Sequence, residues 1–150
     1  MGKVIGIATC DKKEAPMVVN ASANVSVEKG IGDDYRGARS DSRDRQVSII
    51  TQESWDAVCQ ELGTKLHWTM RKANLIISGV ELENSTGGIL KIGNFFLEIT
   101  GPLPVGNGME KQFTGLKKAL SQDWRGGVTA KVLQGGVVYE NDEVLLGDRG

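Results

Sequence analysis

Residues 71–109 have the sequence RKANLIISGVELENSTGGILKIGNFFLEITGPLPVGNGM, and this stretch decides the fold. Two runs of β-forming residues, 89–92 and 95–99, flank the pair Gly93-Asn94. Glycine supplies a positive φ at the first turn residue without steric cost, so the pattern predicts a tight β-hairpin. Prolines after the second run remove hydrogen-bond donors and end the strand in a stiff loop. Such a loop is either a plain connector or a place for a binding site.

Composition indicates one soluble domain rich in turns, over residues 1–150. Charged residues make up 25% and hydrophobic residues 39%, as in ordinary globular proteins. The chain has 20 glycines and 3 prolines, which favours many tight turns and bulges and therefore an all-β fold.

Charge and composition also exclude several classes of partner. A net charge of −1 and 5% aromatic residues argue against a nucleic-acid binder. No apolar segment is long enough to span a bilayer, and the N-terminus lacks the pattern of a signal peptide. Two cysteines do not form a disulfide framework, so we expect a cytoplasmic protein that does not contact membranes.

The remaining pattern predicts strands with little helix. Thr51 is suited to cap a helix over residues 52–62, which Gly63 ends. A second helix is predicted over 110–122, and a second tight hairpin at Gly135-Gly136. Further strands are predicted at the ranges 4–9, 17–27, 46–51, 75–77, 128–133, 137–139 and 143–146, and a frayed tail at 147–150. Together these predict a closed or nearly closed β-barrel with two or more short helices.

The segment 28–45 is the most polar part of the chain, with aspartates and arginines interspersed. It is either a solvated loop, whose exposed ion pairs each contribute about 0–1 kcal/mol, or a mobile loop that presents arginines to an anion. Guanidinium groups bind phosphate through two parallel hydrogen bonds, which suits the second interpretation.

Soft metal ligands are scarce. Cys10, Cys59 and His67 are the only cysteines and histidine, and structural zinc needs four such ligands at close spacing, so no metal site is predicted. Cys59 shares a helix face with Trp55 and Val58, and we expect it to be a core residue. The chain carries neither a Gly-x-Ser-x-Gly elbow nor a Walker loop, which argues against hydrolases and nucleotidases.

Five blocks, in this order, resemble the MOSC family, which comprises the C-terminal domain of molybdenum cofactor sulfurases and free-standing relatives. The blocks are GIGDDYRG at 30–37, RQV at 45–47, RKANL at 71–75, TGP at 100–102 and WRGGV at 124–128. Two positions depart from the family pattern. Asp33 stands where a glycine is usual, and the loop Pro104-Val105-Gly106 stands where the family carries its cysteine.

The resemblance implies a MOSC-type β-barrel with a pocket at one mouth. It also implies that Asp34, Arg36, Arg45, Arg71 and Asn74 face that pocket. For Asn74 a local backbone cap is an equal alternative. Arg125, beside two glycines, either holds an anion against backbone N–H groups or is an exposed turn residue.

The family also implies a ligand and partners. Molybdenum cofactor is the first candidate ligand, and a molybdenum-dependent oxidoreductase is a candidate partner. Pyridoxal phosphate binding, also ascribed to the family, needs a pocket lysine that the sequence does not single out. Val105 cannot carry sulfur, and Cys10, close to Lys12 and Lys13, is the only substitute.

Three hypotheses about function follow. The first is a MOSC-like domain that binds an anionic, pterin-type ligand through Arg36, Arg45, Arg71 and Arg125, without the family's sulfur chemistry. The second is a sulfur carrier or sulfurase-like enzyme that uses Cys10. The third is a non-catalytic scaffold or regulatory partner of an oxidoreductase.

Overall fold

The computed structural model describes residues 2–37 and 43–147. Its strands are β1 (Gly2–Thr9), β2 (Val18–Asn20), β3 (Ser22–Ser26), β4 (Gly30–Ile31), β5 (Val47–Thr51), β6 (Leu75–Ser78), β7 (Ile89–Ile92), β8 (Phe95–Pro102), β9 (Val128–Gln134), β10 (Gly136–Tyr139) and β11 (Glu143–Gly147). Its helices are α1 (Gln52–Leu62), α2 (Asn107–Gln112) and α3 (Leu116–Leu120), with 3-10 turns at Arg43–Arg45 and Trp68–Arg71.

Seven strands form a closed barrel in the order β11-β7-β8-β9-β5-β6-β1, which the β1–β11 pair completes. The closing pair is antiparallel and sets Gly2 opposite Val144. Only the pairing of β5 with β6 is parallel among the barrel strands described. β2 lies outside the ring and pairs with the end of β1, where Ile7 lies opposite Asn20. The prediction of a closed β-barrel with short helices is confirmed.

The β7–β8 hairpin forms as the sequence predicts. Gly93 has φ of 56°, and Ile92 pairs with Phe95 across the turn. Alternate residues of the two strands, among them Leu90, Phe95 and Leu97, are fully buried inside the barrel.

α1 makes the crossover between the parallel strands β5 and β6, a connection that such a pair requires. The Thr51 hydroxyl accepts a hydrogen bond from the Ser54 N–H at 3.1 Å, and Gly63 ends the helix with φ of 70°. Both predicted ends of this helix are confirmed. Trp55 and Val58 pack on the outer wall of the barrel.

β5 and β6 are buried on both faces. Ile49 and Leu75 belong to the core inside the barrel, whereas Ile50 and Ile76 belong to a second core that the helices cover. This explains why both strands are continuous apolar runs and not alternating ones.

The second predicted hairpin, at Gly135-Gly136, is wrong. β9 stays in the barrel, while β10 leaves it and pairs with β3 in a separate sheet of order β10-β3-β4. A Cβ at Gly135 would lie 2.5 Å from the Val25 carbonyl oxygen, so this glycine allows a close approach to β3. The strand predicted over 17–27 is likewise divided, since β2 pairs with β1 and β3 with β10.

The helix predicted over 110–122 is two short helices, α2 and α3. Gly115 adopts φ of 92°, which is outside the helical region and separates them. Leu116 and Leu120 are buried in the second core, so α3 packs on the barrel through these apolar side chains. None of the described helices is long and apolar enough to cross a membrane.

Two sequence predictions reach beyond the described residues. Arg39 and Asp41 of the charged segment lie in the range 38–42, which is not described. Of the tail predicted over 147–150, Gly147 ends β11, and the other residues fall outside the described part of the chain.

Candidate functional site

A cavity of about 250 Å³ lies where β5 and β6 begin, beside the end of β8 and the start of β9. Ser48 of β5 and Thr129 of β9 are directly opposite each other across an antiparallel pair. Asn74 immediately precedes β6, and Leu103 immediately follows β8. The full lining is Tyr35, Arg36, Arg45, Ser48, Asn74, Leu103 and Thr129.

Asp34 is a buried carboxylate beneath this cavity, with 1% of its surface exposed. It accepts hydrogen bonds from the backbone N–H groups of Cys10 at 2.9 Å and Arg36 at 3.0 Å. It also accepts one from Asn74 Nδ2 at 2.9 Å and two from the Arg36 guanidinium. Burial alone would raise the pKa of Asp34, but the hydrogen bonds and charge of Arg36, with the two backbone N–H groups, outweigh it and hold the pKa below its usual value. The group is therefore an ionised carboxylate at neutral pH that fixes its neighbours.

Arg36 is held in a single geometry by that carboxylate. Its Nε and Nη2 donate to the two oxygens of Asp34 at 2.9 and 2.8 Å, and its Nη1 donates to the Lys72 carbonyl at 2.7 Å. Nη2 also lies 3.8 Å from the Met17 sulfur. Burial opposes the charge of Arg36, but Asp34 raises the pKa of the guanidinium above its ordinary value. Arg36 is thus a pre-ordered cation whose charge Asp34 already balances.

Asn74 connects three parts of the chain. Its Nδ2 donates to the Ala8 carbonyl at 3.1 Å and to Asp34, and its Oδ1 accepts from the Ser48 N–H at 3.1 Å and the Ser48 hydroxyl at 3.2 Å. These partners fix which end of the amide is oxygen. Asn74 therefore both lines the cavity and supports Asp34.

A chain of hydroxyl groups leads from the cavity to Arg45. Thr129 Oγ1 lies 2.6 Å from Thr100 Oγ1, and Thr100 donates to the Asp44 carbonyl. These contacts hold the 3-10 turn Arg43–Arg45 against β8 and β9. Arg45 is exposed at the edge of the cavity.

Arg71 is placed differently from the two lining arginines. It is 5% exposed, and its Nε donates to the Gly126 carbonyl at 3.0 Å. Its Nη2 donates to the carbonyls of Leu103 and Pro104 at 3.0 and 3.1 Å. Burial lowers the pKa of Arg71 to about 10, so the group remains a cation at neutral pH. Arg71 braces the two loops beside the cavity and is not among the lining residues.

The loop at the family's cysteine position contributes Leu103 to the cavity. Pro104 offers its carbonyl to Arg71, and Val105 packs against the second core outside the barrel. Gly106 precedes α2 as its N-terminal cap. Pro104, Val105 and Gly106 are not among the described residues that line the cavity.

Arg125 lies away from the cavity. Its Nη1 forms an ion pair with Glu61 Oε1 of α1 at 2.9 Å.

The residues predicted to bind ligand thus fall into three groups. Arg36, Arg45 and Asn74 line the cavity, and Asp34 supports them. Arg71 braces the loops beside the cavity, and Arg125 lies away from it. Four further residues line the cavity and were not predicted from the sequence, although each is inside or next to one of the quoted blocks: Tyr35, Ser48, Leu103 and Thr129.

Cys10 is buried, with 5% of its surface exposed. Its Sγ donates to the carbonyls of Lys12 at 3.1 Å and Ala15 at 3.2 Å, and it is not among the cavity-lining residues. Cys59 is only partly buried, on the edge of the second core. In the part of the chain that is described, no group of three or more His, Cys, Asp or Glu side chains could hold a metal ion.

A family model described as the MOSC domain matches residues 32–145. The chain belongs to the MOSC family. The match includes Asp34, Arg36, Arg45 and Asn74, so the cavity lies within the part of the chain that defines the MOSC domain. No curated protein sequence matches the chain with significance.

Solved structures of related shape support the barrel. The YuaD protein from Bacillus subtilis superposes with a TM-score of 0.77 at 18% identity, covering 99% of this chain and 97% of that one. YiiM from Geobacillus stearothermophilus gives 0.79 at 18% identity, over 100% of this chain and 77% of that one. YiiM from Escherichia coli gives 0.74 at 14% identity, over 99% and 71%. At these identities the likeness shows that the MOSC chain shares their fold.

Proposed function

We propose that this MOSC domain binds an anionic small molecule in the cavity, with molybdenum cofactor as the first candidate, and that it does so without cysteine-based sulfur transfer. The observation that carries the proposal is the fixed Arg36 beside Arg45 in a polar cavity whose described lining contains no thiol. A molybdenum-dependent oxidoreductase is the partner we propose for such a domain.

Pre-ordering of Arg36 supports anion binding. A flexible arginine loses side-chain entropy when it binds, at a cost of about 0.5–1.5 kcal/mol. Asp34 and the Lys72 carbonyl already hold Arg36 in place, so this cost does not oppose binding. Arg45 adds a second guanidinium at the edge, where an anion enters.

The size and chemistry of the cavity limit which part of a cofactor fits. Pockets for whole drug-sized ligands span roughly 300–1,000 Å³, and this cavity has about 250 Å³. It therefore suits the anionic end of a larger ligand, with the rest outside. The arginines suit a phosphate or another oxyanion, but the described lining offers no sulfur ligand to molybdenum and no lysine for a Schiff base with pyridoxal phosphate.

Calorimetric titration of the purified protein with molybdenum cofactor, under exclusion of oxygen, tests the proposal. We expect saturable binding that weakens about tenfold in Arg45→Ala, because one charge-assisted contact contributes about 1.5–3 kcal/mol. Arg125→Ala is the matched control, since it removes an arginine outside the cavity. Equal binding by Arg45→Ala would contradict the proposal, and an absence of binding by the wild type would favour the scaffold role.

Thiol alkylation tests the alternative of a sulfur carrier. A carrier cysteine must be an accessible thiolate, whereas Cys10 is buried and its S–H donates to two carbonyls. We expect iodoacetamide at neutral pH to modify Cys59 first and Cys10 only when the protein unfolds, as peptide mass spectrometry would show. Faster modification of Cys10 in the folded protein would instead support sulfur transfer.

A further inference from the structure

We infer that the floor of the cavity, formed by Ser48 and Thr129, accepts hydrogen bonds from the ligand and has none to donate. This inference rests on the proposed function and narrows the ligand to a class. The ligand is an anion that also carries an N–H or O–H donor close to its anionic group, with the anion at the arginines and the donor at the floor.

The first step concerns the Ser48 hydroxyl, which has a single proton. That proton lies in the hydrogen bond to Asn74 Oδ1 at 3.2 Å. The same oxygen accepts from the Asn74 backbone N–H at 3.0 Å. A hydroxyl oxygen has two lone pairs, so Ser48 retains one lone pair and no proton for a ligand.

The second step concerns the Thr129 hydroxyl. Thr100 gives its proton to the Asp44 carbonyl, an acceptor that cannot donate. The 2.6 Å contact between Thr100 and Thr129 needs one proton, which Thr129 supplies, and the Gly101 carbonyl at 3.4 Å is a second acceptor for the same hydroxyl. Thr129 is thus also a pure acceptor towards the cavity.

The third step concerns the remaining polar groups. Asn74 Nδ2 is shared between Ala8 and Asp34, and its Oδ1 is shared by two donors from Ser48. Asn74 therefore has no free N–H group to donate to a ligand at the floor. Donors to a ligand come from Arg36, Arg45 and Tyr35, which line the same cavity.

The consequence is a distinction between two kinds of anion. An anion with only acceptor oxygens would turn its lone pairs towards those of Ser48 and Thr129 when it fills the cavity. An anion with a neighbouring amino or hydroxyl group would satisfy these acceptors and the arginines together. Leaving buried acceptors unpaired is costly, so the second kind binds more tightly.

Titration with three sulfonates, whose anionic group carries no proton at neutral pH, tests the inference by protein NMR. 3-Hydroxypropanesulfonate carries the donor, 3-methoxypropanesulfonate has the same charge and an ether oxygen, and propanesulfonate has neither. We expect the hydroxyl compound to bind about 3- to 10-fold more tightly than the other two, as one neutral hydrogen bond gives.

The outcomes separate the inference from the function on which it rests. Equal affinities, or a preference for the methoxy compound, would overturn the inference and leave anion binding in place. If none of the three shifts resonances of the cavity residues, then anion binding at this cavity fails and the inference fails with it.

Variants of Thr129 assign the acceptor. Thr129→Val keeps the shape and removes the oxygen, so the ratio of the hydroxyl to the methoxy affinity should fall. Thr129→Ser keeps the oxygen and should keep the ratio. If Thr129→Val leaves the ratio of the hydroxyl to the methoxy affinity unchanged, the role of Thr129 is overturned. If that variant does not fold, the ratio measured in the wild type still decides the inference.

Discussion

Asp34 is the residue on which the geometry of the cavity depends. Its carboxylate joins the end of β1 through the Cys10 N–H, the start of β6 through Asn74, and the guanidinium of Arg36. All of these bonds can form together only with the ionised form, and a buried carboxylate without them would be strongly unfavourable. The same residue thus contributes to stability and orders the arginine that we propose binds the ligand.

Asp34→Asn should destabilise the protein by about 2–4 kcal/mol at pH 7, because the amide cannot accept from all of these donors. The pKa of Asp34 is lowered in the folded state. Its stabilising contribution is therefore present above the unfolded pKa of about 3.9 and is lost as the pH falls through the folded pKa. Urea unfolding at a series of pH values from 7 to 3 measures this loss. The difference in the free energy of unfolding between wild type and variant should become smaller below about pH 4.

Exposed Asp33 is the neighbouring control. Asp33→Asn should change the free energy of unfolding by less than about 0.5 kcal/mol. An Asp34→Asn protein as stable as the wild type at pH 7, or a gap that does not vary with pH, would refute the role given to this carboxylate.

At the scale of elements, the connection from α3 to β9 passes directly against the backbone of β5. Gly127 adopts φ of 91° in this connection, and a Cβ there would lie 2.2 Å from the Ile49 carbonyl oxygen. The preceding Gly126 carbonyl is the acceptor of Arg71, which also holds the loop that carries Leu103. Backbone contact therefore requires a glycine at position 127, whereas a Cβ at Gly126 would meet the Val105 side chain at 2.9 Å.

Gly127→Ala should destabilise the protein by more than about 3 kcal/mol, since the new methyl group meets backbone that cannot move aside. Gly63→Ala provides a matched comparison. Gly63 also has a positive φ, of 70°, but nothing lies within 4 Å of its Cβ position. We expect it to cost about 1 kcal/mol, as thermal or urea unfolding would measure, and equal losses in the two variants would contradict the steric argument.

At the scale of the whole molecule, closure of the barrel depends on its last strand. β11 pairs with β7 on one side and with β1 on the other, so the two ends of the sequence complete one ring. Val144 faces the interior and is fully buried, whereas the next residue, Leu145, is 42% exposed. A shift of β11 by one residue would turn Leu145 inward and Val144 outward, so the packing of the barrel interior depends on this register.

Val144→Asp should destabilise the protein by more than about 3 kcal/mol, because it buries an unpaired carboxylate in the barrel. Leu145→Asp places the same group on the outer face and should cost less than about 1 kcal/mol. Urea unfolding followed by circular dichroism distinguishes the two. Similar losses in both would mean that β11 does not hold the described register.

The sequence by itself determined the elements that depend on neighbouring residues. The Gly93 turn, the Thr51 cap and the Gly63 end of α1 were predictable because each depends on the conformation of a few adjacent residues. The ordered blocks also gave the family, and with it the barrel. Arg36, Arg45 and Asn74 lie in those blocks and line one cavity, and their role in binding stays a prediction.

Only the tertiary structure decided which partner each strand and side chain finds. β10 follows β9 after one residue yet pairs with β3, and Arg71 contacts carbonyls more than thirty positions away while Arg125 pairs with Glu61. The acceptor-only floor that we infer for the cavity likewise depends on hydrogen bonds between Ser48 and Asn74 and between Thr100 and Thr129. Local sequence specifies dihedral angles and exposed faces, but contacts between distant residues follow from how the whole barrel closes.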